Sequence, residues 1–143
     1  MTGDGMNGDA PREPREPSAG RRRGLIVTVF VIDVVLVIAF AALGRATHDG
    51  DVLGPGGAGL ATTAWPFLLA LAVGWCVARA WRRPLAPLRS GLPIWIVTVV
   101  GGLLLRLVSG QGTAIAFVIV ATLTLALLLV GWRAVATLVV RRR

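Results

Sequence analysis

Four long apolar runs limit what this chain can fold into. They are separated by connectors rich in proline and glycine, and the fourth run, residues 114–132, holds no charged side chain. A helix of nineteen residues is about 28 Å long, close to the hydrocarbon thickness of a bilayer. A soluble domain keeps polar side chains for its exposed surface, whereas 55% of this 143-residue chain is hydrophobic. We therefore predict an all-α, polytopic membrane protein with four transmembrane helices.

The predicted organisation has three parts. Residues 1–23 are predicted to be a disordered cytoplasmic tail, because they carry too little apolar mass to offset the entropy lost on ordering. Residues 134–143 form a basic cytoplasmic end, whose apolar stretch either closes the fourth span, as we prefer, or lies on the inner leaflet. Residues 24–133 form the transmembrane domain, with spans at about 24–44, 63–81, 92–107 and 113–132.

Short sequence motifs indicate where the second span begins and whether the first span is retained. Thr62 and Thr63 are suited to cap the second helix, with Pro66 in its first turn, where a missing N–H costs nothing. The first span has an alternative interpretation as a cleaved signal peptide, with residues 39–41 as the small-x-small site. We prefer a retained span, because Asp33 interrupts the apolar run and the run continues to full membrane length.

The basic residues predict an orientation. All fifteen are arginine. If the N-terminus is cytoplasmic, only Arg45 and Arg106 lie on or towards the outside, and thirteen lie inside: Arg12, Arg15, Arg21, Arg22, Arg23, Arg79, Arg82, Arg83, Arg89, Arg133, Arg141, Arg142 and Arg143. The positive-inside rule then predicts an N-in, C-in protein of the cytoplasmic membrane. An oligomer of such a protein is expected to hold its protomers parallel.

Residue counts exclude several chemistries. One cysteine and one histidine cannot build a zinc site of three or four protein ligands, and a chain without lysine has neither a Walker A loop nor a lysine Schiff base. We expect no enzymatic activity, no cofactor and no metal. The arginines stand at the ends of apolar runs rather than along one polar face, which favours anionic lipid headgroups over nucleic acid as their partner.

Asp33 and Arg106 are the candidate intramembrane polar pair. Asp33 lies ten residues beyond Arg23, about 15 Å along the helix, where a carboxylate must be neutral, paired or hydrated. Arg106 lies towards the outer end of the third span, and its side chain leans back towards the midplane. Asp33 is either a proton or cation site or a hydrogen-bonded clamp between helices. Arg106 is either its partner or a side chain that reaches the outer headgroups.

Two further groups of residues stand out. Arg45, His48 and Asp49 form a candidate outer polar cluster, in which an imidazole beside a carboxylate either binds a proton, a cation or a headgroup or is simply solvated. The second group consists of small residues within spans, which let helix backbones approach closely in the bundle or in a homodimer. Its members are Ala70, Gly74, Ala78, Gly101 and Gly102.

A set of residues between positions 24 and 133 resembles a known family. The set contains Asp33, Phe40, Gly44, Arg45, His48, Trp65-Pro66-Phe67, Trp81, Pro84, Gly102, Arg106, Phe117 and Gly131-Trp132-Arg133. This pattern is similar to that of the prokaryotic membrane-protein family called domain of unknown function 3054, which is known from actinobacteria and haloarchaea. The resemblance implies a four-helix membrane protein and implies no activity.

Two classes of function follow from these observations. The first is a non-enzymatic accessory or interaction module, whose partners are anionic lipid and either a second copy of the chain or another membrane protein. It needs only the features described above, and we prefer it. The second is a small oligomeric transporter or channel in which Asp33 takes up a proton or a cation, with Arg106 and the outer polar cluster at its mouth.

Overall fold

The computed structural model describes residues 19–48 and 51–142, which are mostly helical and contain no strand. The helices are α1 (Ala19–His48), α2 (Ala58–Val77), α3 (Leu92–Val108), α4 (Ile115–Ala126) and α5 (Trp132–Arg141). A 3-10 turn, Pro55–Gly57, precedes α2, and a second one, Ala80–Arg82, follows it. Two π-helical segments complete the fold: Pro87–Gly91 leads into α3, and Leu127–Gly131 joins α4 to α5. The greater part of the predicted disordered tail lies outside the described residues.

Four helical stretches are long and apolar enough to cross a membrane, which confirms the predicted architecture. They are Ala19–Thr47, Pro55–Val77, Pro87–Val108 and Ile115–Val140. The first begins before the predicted boundary, so the arginines at 21–23 are helical rather than part of a tail. The fourth continues through α5, so the apolar stretch after Arg133 completes this span instead of forming a separate surface helix.

The second span begins earlier than its sequence signals indicated. Thr62 and Thr63 do not cap the helix, because a full turn of α2 already precedes them. Their hydroxyls instead donate hydrogen bonds to the carbonyls of Ala58, at 2.7 Å, and Gly59, at 3.1 Å. Pro66 consequently lies inside α2 rather than in its first turn. Such back-bonding to the fourth preceding residue is how Thr satisfies its hydroxyl within an apolar helix.

One narrow stripe of α1 faces the interior of the bundle. Its buried residues recur at intervals of one, three or four positions, which places them on one side of an α-helix. The other faces of α1 carry exposed apolar side chains, such as those of Val31 and Val35, which are 51% and 57% exposed. This arrangement suits a helix that contacts lipid on most of its surface. The stripe consists of Val29, Asp33, Val37, Phe40 and Ala41.

Small residues allow α2 and α3 to pack closely. A Cβ added to Gly101 would lie 3.0 Å from the Cβ of Ala70, and one added to Gly74 would lie 3.2 Å from the carbonyl oxygen of Ile94. A Cβ added to Gly102 would overlap the ring of Phe67, which is fully buried. Ala78, the last of the predicted packing residues, is half-buried just beyond the end of α2. These residues serve contacts within one chain.

Gly102→Ala is expected to destabilise the bundle. The new methyl group must displace the Phe67 ring, and overpacking of this kind typically costs about 1–3 kcal/mol. Thermal unfolding in detergent should show a clearly lowered midpoint. Gly24→Ala is the matched control, because the space around that helical glycine is open and alanine is the better helix former. A midpoint for Gly102→Ala at or above that of the control would contradict the proposed close contact.

Candidate functional site

The carboxylate of Asp33 is fully buried and accepts four hydrogen bonds. Its Oδ1 accepts from Nη1 of Arg133 at 2.8 Å and from the indole Nε1 of Trp132 at 3.1 Å. Its Oδ2 accepts from Nη2 of Arg133 at 2.6 Å and from the indole Nε1 of Trp75 at 2.8 Å. We call these four side chains the Asp33 cluster. It joins α1, α2 and α5 through one carboxylate.

The guanidinium of Arg133 is also fully buried. Besides its two bonds to Asp33, it donates from Nε to the carbonyl of Pro84 at 3.0 Å and from Nη1 to the carbonyl of Leu129 at 2.8 Å. Its Cζ lies 5.1 Å from the centre of the Trp132 ring, within the range of a cation–π contact. A bidentate pair between arginine and carboxylate is among the strongest and most directional of protein hydrogen bonds. The cluster therefore fixes both distance and orientation.

The π-helical segment Leu127–Gly131 explains why Arg133 points into the bundle. Ala121, Leu125, Leu129 and Arg133 are all buried and recur every four residues. In a regular α-helix each step of four residues rotates the side chain by roughly 40°, so three steps would turn Arg133 about 120° away from Ala121. A π-helical turn contains more residues and thus reduces this rotation. The segment keeps Arg133 on the interior face.

The connection between α2 and α3 closes over Arg133. Ser90 and Gly91 are buried there, and the Ser90 hydroxyl donates to the carbonyl of Arg83 at 2.7 Å. A Cβ added to Gly91 would lie 3.0 Å from Cδ of Arg133. The connection thus approaches the arginine side chain closely, and it supplies the Pro84 carbonyl that Nε of Arg133 requires.

The predicted pairing of Asp33 with Arg106 is corrected by this geometry. Arg106 donates instead to Oε1 of Gln111 at 3.0 Å and to the Gln111 carbonyl at 3.4 Å, and its Cζ lies 4.4 Å from the centre of the Phe117 ring. It stands two residues before the end of α3. Arg133 takes its place because the fourth span continues past this residue and holds it inside the bundle.

Arg45 is the member of the predicted outer polar cluster whose side chain the structure describes. It donates from Nε to the carbonyl of Val52 and from Nη2 to the carbonyl of Asp51, both at 3.0 Å, and so ties the end of α1 to the following loop. A carboxylate oxygen of Asp51 accepts the backbone N–H of Gly54 at 3.0 Å. Asp49 and the side chain of His48 lie outside the described residues.

A cavity of about 590 Å³ lies at the end of the bundle where α1 and α3 finish and α4 begins. It brings together Arg45 and Arg106, the two arginines predicted to lie towards the outside. Asp33 is not among the residues that line it. The lining residues are Phe40, Ala41, Gly44, Arg45, Thr47, Thr63, Arg106, Gln111, Gly112, Thr113, Ala114, Ala116, Phe117 and Val120.

No metal centre can be assigned within the described part of the chain. Residues 19–48 and 51–142 contain no group of three or more His, Cys, Asp or Glu side chains placed to hold an ion. The buried carboxylate of Asp33 forms an ion pair with Arg133.

Three members of the Asp33 cluster were not among the predicted site residues: Trp75, Trp132 and Arg133. Arg133 was interpreted as an inner-surface arginine, because it follows a complete apolar run. The apolar stretch at residues 134–140 could have indicated that Arg133 is buried, because it extends the helix beyond this arginine. The tryptophans carried no comparable signal, since Trp residues near the ends of spans ordinarily anchor a helix at the membrane surface.

We expect Asp33 and Arg133 to be strongly coupled in a double-mutant cycle. Asp33→Asn and Arg133→Met should each lower the free energy of unfolding by about 3–5 kcal/mol, because each leaves the other charge buried without its partner. The double variant should cost at least ~2 kcal/mol less than the sum of the two single costs, since it removes both charges together. Unfolding in mixed micelles measures all three values.

Arg82→Met serves as the control for this cycle, because Arg82 is exposed. Its unfolding should match that of the unaltered chain. Additive costs for Asp33→Asn and Arg133→Met, or an Arg133→Met variant as stable as the control, would show that the ion pair does not hold the bundle together.

Comparison with known proteins identifies a family and nothing more specific. The model of the family described as "Protein of unknown function (DUF3054)" matches residues 30–136, which include the whole Asp33 cluster. Searches of the curated proteins and of the solved structures found no match. The matched segment covers well over half of the chain and all four spans in whole or in part. The chain therefore belongs to the DUF3054 family of proteins of unknown function.

Proposed function

We propose that the protein is a non-enzymatic accessory or interaction module of the cytoplasmic membrane. Its intramembrane charges serve to hold four helices in one arrangement. The observation that carries this proposal is the saturation of Asp33, whose two carboxylate oxygens accept four hydrogen bonds from Arg133, Trp75 and Trp132. A carboxylate bound in this way acts as a clamp between helices, as expected of polar groups that associate helices in a membrane.

The alternative is a small oligomeric transporter or channel in which Asp33 takes up a proton or a cation. In that mechanism Asp33 must exchange its four donors for an ion and then regain them. The side chains of Asp33 and Arg133 are both fully buried, and the cavity at the other end of the bundle does not reach Asp33. These observations favour the structural role over the transport role.

The outer surface of the bundle supports an interaction role. Apolar side chains are exposed along α1, α3 and α4, as at Val35, Leu104 and Leu123, which are 57%, 56% and 66% exposed. Such surfaces suit contact with lipid, with a parallel second copy or with another membrane protein. The proposal of a non-enzymatic role rests on the sequence, which offers one histidine, one cysteine and no lysine for chemistry.

The proposed orientation remains N-in, C-in. Because Arg133 is buried in the Asp33 cluster, it no longer counts as an arginine at the inner surface. Twelve of the remaining arginines still belong to the proposed inner side, against Arg45 and Arg106 on the other side. The positive-inside rule therefore favours the same orientation, and it supports contact of the inner arginines with anionic headgroups.

Reconstituted protein is expected to show no ion flux. Vesicles that hold a pH-sensitive dye and the unaltered chain should dissipate a proton gradient no faster than protein-free vesicles, with or without Na⁺ or K⁺. The reason is that Asp33 has no free lone-pair site to offer a proton or a cation. A flux that depends on the protein, and that Asp33→Asn abolishes while the variant stays folded, would establish the transporter alternative instead.

Reporter fusions test the orientation independently. A reporter active only outside the cytoplasm should give signal when fused after Asp51, in the loop between α1 and α2. It should give none when fused after Leu88, at the start of the third span. A reporter active only in the cytoplasm should give the reverse pattern at the same two positions. Signal from the outside reporter at Leu88 alone would reverse the proposed orientation.

A further inference from the structure

Arg106 is a partly buried cation whose partners are neutral. Its contacts are the amide oxygen and carbonyl of Gln111 and the ring of Phe117. The described part of the chain contains two acidic residues, Asp33 and Asp51, and neither forms an ion pair with Arg106. Its Nε atom is buried and has no hydrogen-bond partner. A buried charge is costly unless it is paired, so this side chain is suited to an anionic ligand.

The cavity beside Arg106 has the shape of a site for a molecule with one polar end. Phe40, Ala41, Phe117 and Val120 give it apolar walls, and two arginines lie on its lining. No acidic side chain of the described residues lines it. Its volume of about 590 Å³ falls in the range of pockets that hold organic ligands. An inorganic ion would leave most of the apolar wall uncovered.

The position of the cavity indicates that its ligand enters from the membrane. Arg106 stands two residues before the end of the third span, Pro87–Val108, the level at which lipid headgroups meet a membrane helix. Val120, which lines the cavity from within the fourth span, is 57% exposed. Ala116, one turn earlier, is also exposed. Two residues that line the cavity from α4 are therefore exposed on the surface of a membrane-spanning segment, where acyl chains surround the bundle.

We propose that this cavity binds one anionic membrane lipid. Its headgroup phosphate accepts hydrogen bonds from the Arg106 guanidinium, and its acyl chain lies against Phe40, Phe117 and Val120. Arginine binds phosphate through directed, charge-assisted hydrogen bonds, and the apolar wall supplies selectivity for an amphiphile over a free anion. This inference goes beyond the accessory role proposed above and does not depend on it, because it uses neither the Asp33 cluster nor the exposed apolar faces.

Native mass spectrometry of the full chain tests the site. The protein is released from micelles that contain dioleoylphosphatidylglycerol and dioleoylphosphatidylcholine in equal amounts. We expect one phosphatidylglycerol to be retained in preference to phosphatidylcholine. Arg106→Gln should lower the retained fraction by about tenfold or more, because it removes the charged donor. Arg82→Gln removes one exposed arginine of the inner set at the opposite end of the bundle, and it should lower retention far less than Arg106→Gln, because it leaves the cavity intact.

A second variant separates lipid binding from loop stability. Val120→Trp leaves Arg106 and Gln111 in place and fills the space along the apolar wall, so it should reduce lipid retention while the protein unfolds at the same temperature. If Arg106→Gln fails to fold, Val120→Trp alone decides the question. Equal retention of the two lipids, or unchanged retention in Val120→Trp, would overturn the proposal.

A water-soluble competitor distinguishes a lipid from a free phosphate compound. Glycerol 1-phosphate carries the same phosphate chemistry without acyl chains. In the proposed site it should not displace phosphatidylglycerol at equal concentration, because the apolar wall contributes nothing to its binding. Displacement at that concentration would show that the cavity is a site for a soluble anion and would overturn the assignment to a membrane lipid.

Discussion

A carboxylate in the interior of a membrane protein must be neutralised, and most of this fold is arranged around that requirement. An ionised group transferred without a partner from water to an apolar medium costs tens of kcal/mol in the Born limit. Asp33 on α1 is fully buried, forms an ion pair with Arg133, and receives hydrogen bonds from donors on two other helices, α2 and α5. The helices can therefore adopt only an arrangement in which Trp75, Trp132 and Arg133 converge on one point of α1.

This requirement accounts for the irregular parts of the chain. The π-helical segment Leu127–Gly131 rotates Arg133 towards Asp33, and the connection after α2 brings the Pro84 carbonyl to the guanidinium N–H at Nε. The two ends of the bundle differ in consequence. The end that holds the Asp33 cluster is closed and saturated with hydrogen bonds, whereas the end that holds Arg106 keeps a cavity and a buried nitrogen without a partner.

The architecture of this chain can be predicted from its sequence, whereas most of its polar contacts cannot. Run length and hydropathy indicate four spans, and Asp33 stands out because it interrupts an apolar run. The partner of Asp33 cannot be derived in the same way, because it depends on how far the fourth helix continues and on a π-helical turn that has no clear sequence signal. Arg106 lies at the end of its helix, as predicted. Its guanidinium nevertheless donates a hydrogen bond to Gln111, in the short loop that follows α3. Helix length follows from composition, whereas rotation about the helix axis follows from packing.

The contact between Asp33 and Arg133 is the central claim, and solid-state NMR in lipid bilayers measures it most directly. Carboxyl-¹³C aspartate and guanidino-¹⁵N arginine are incorporated, and the Asp33 signal is assigned by its loss in Asp33→Asn. Hydrogen bonds of 2.8 and 2.6 Å to two guanidinium nitrogens predict a measurable carbon–nitrogen dipolar coupling that persists in Arg106→Gln. Coupling no stronger than that of a solvated aspartate, or coupling that disappears in Arg106→Gln, would contradict the account.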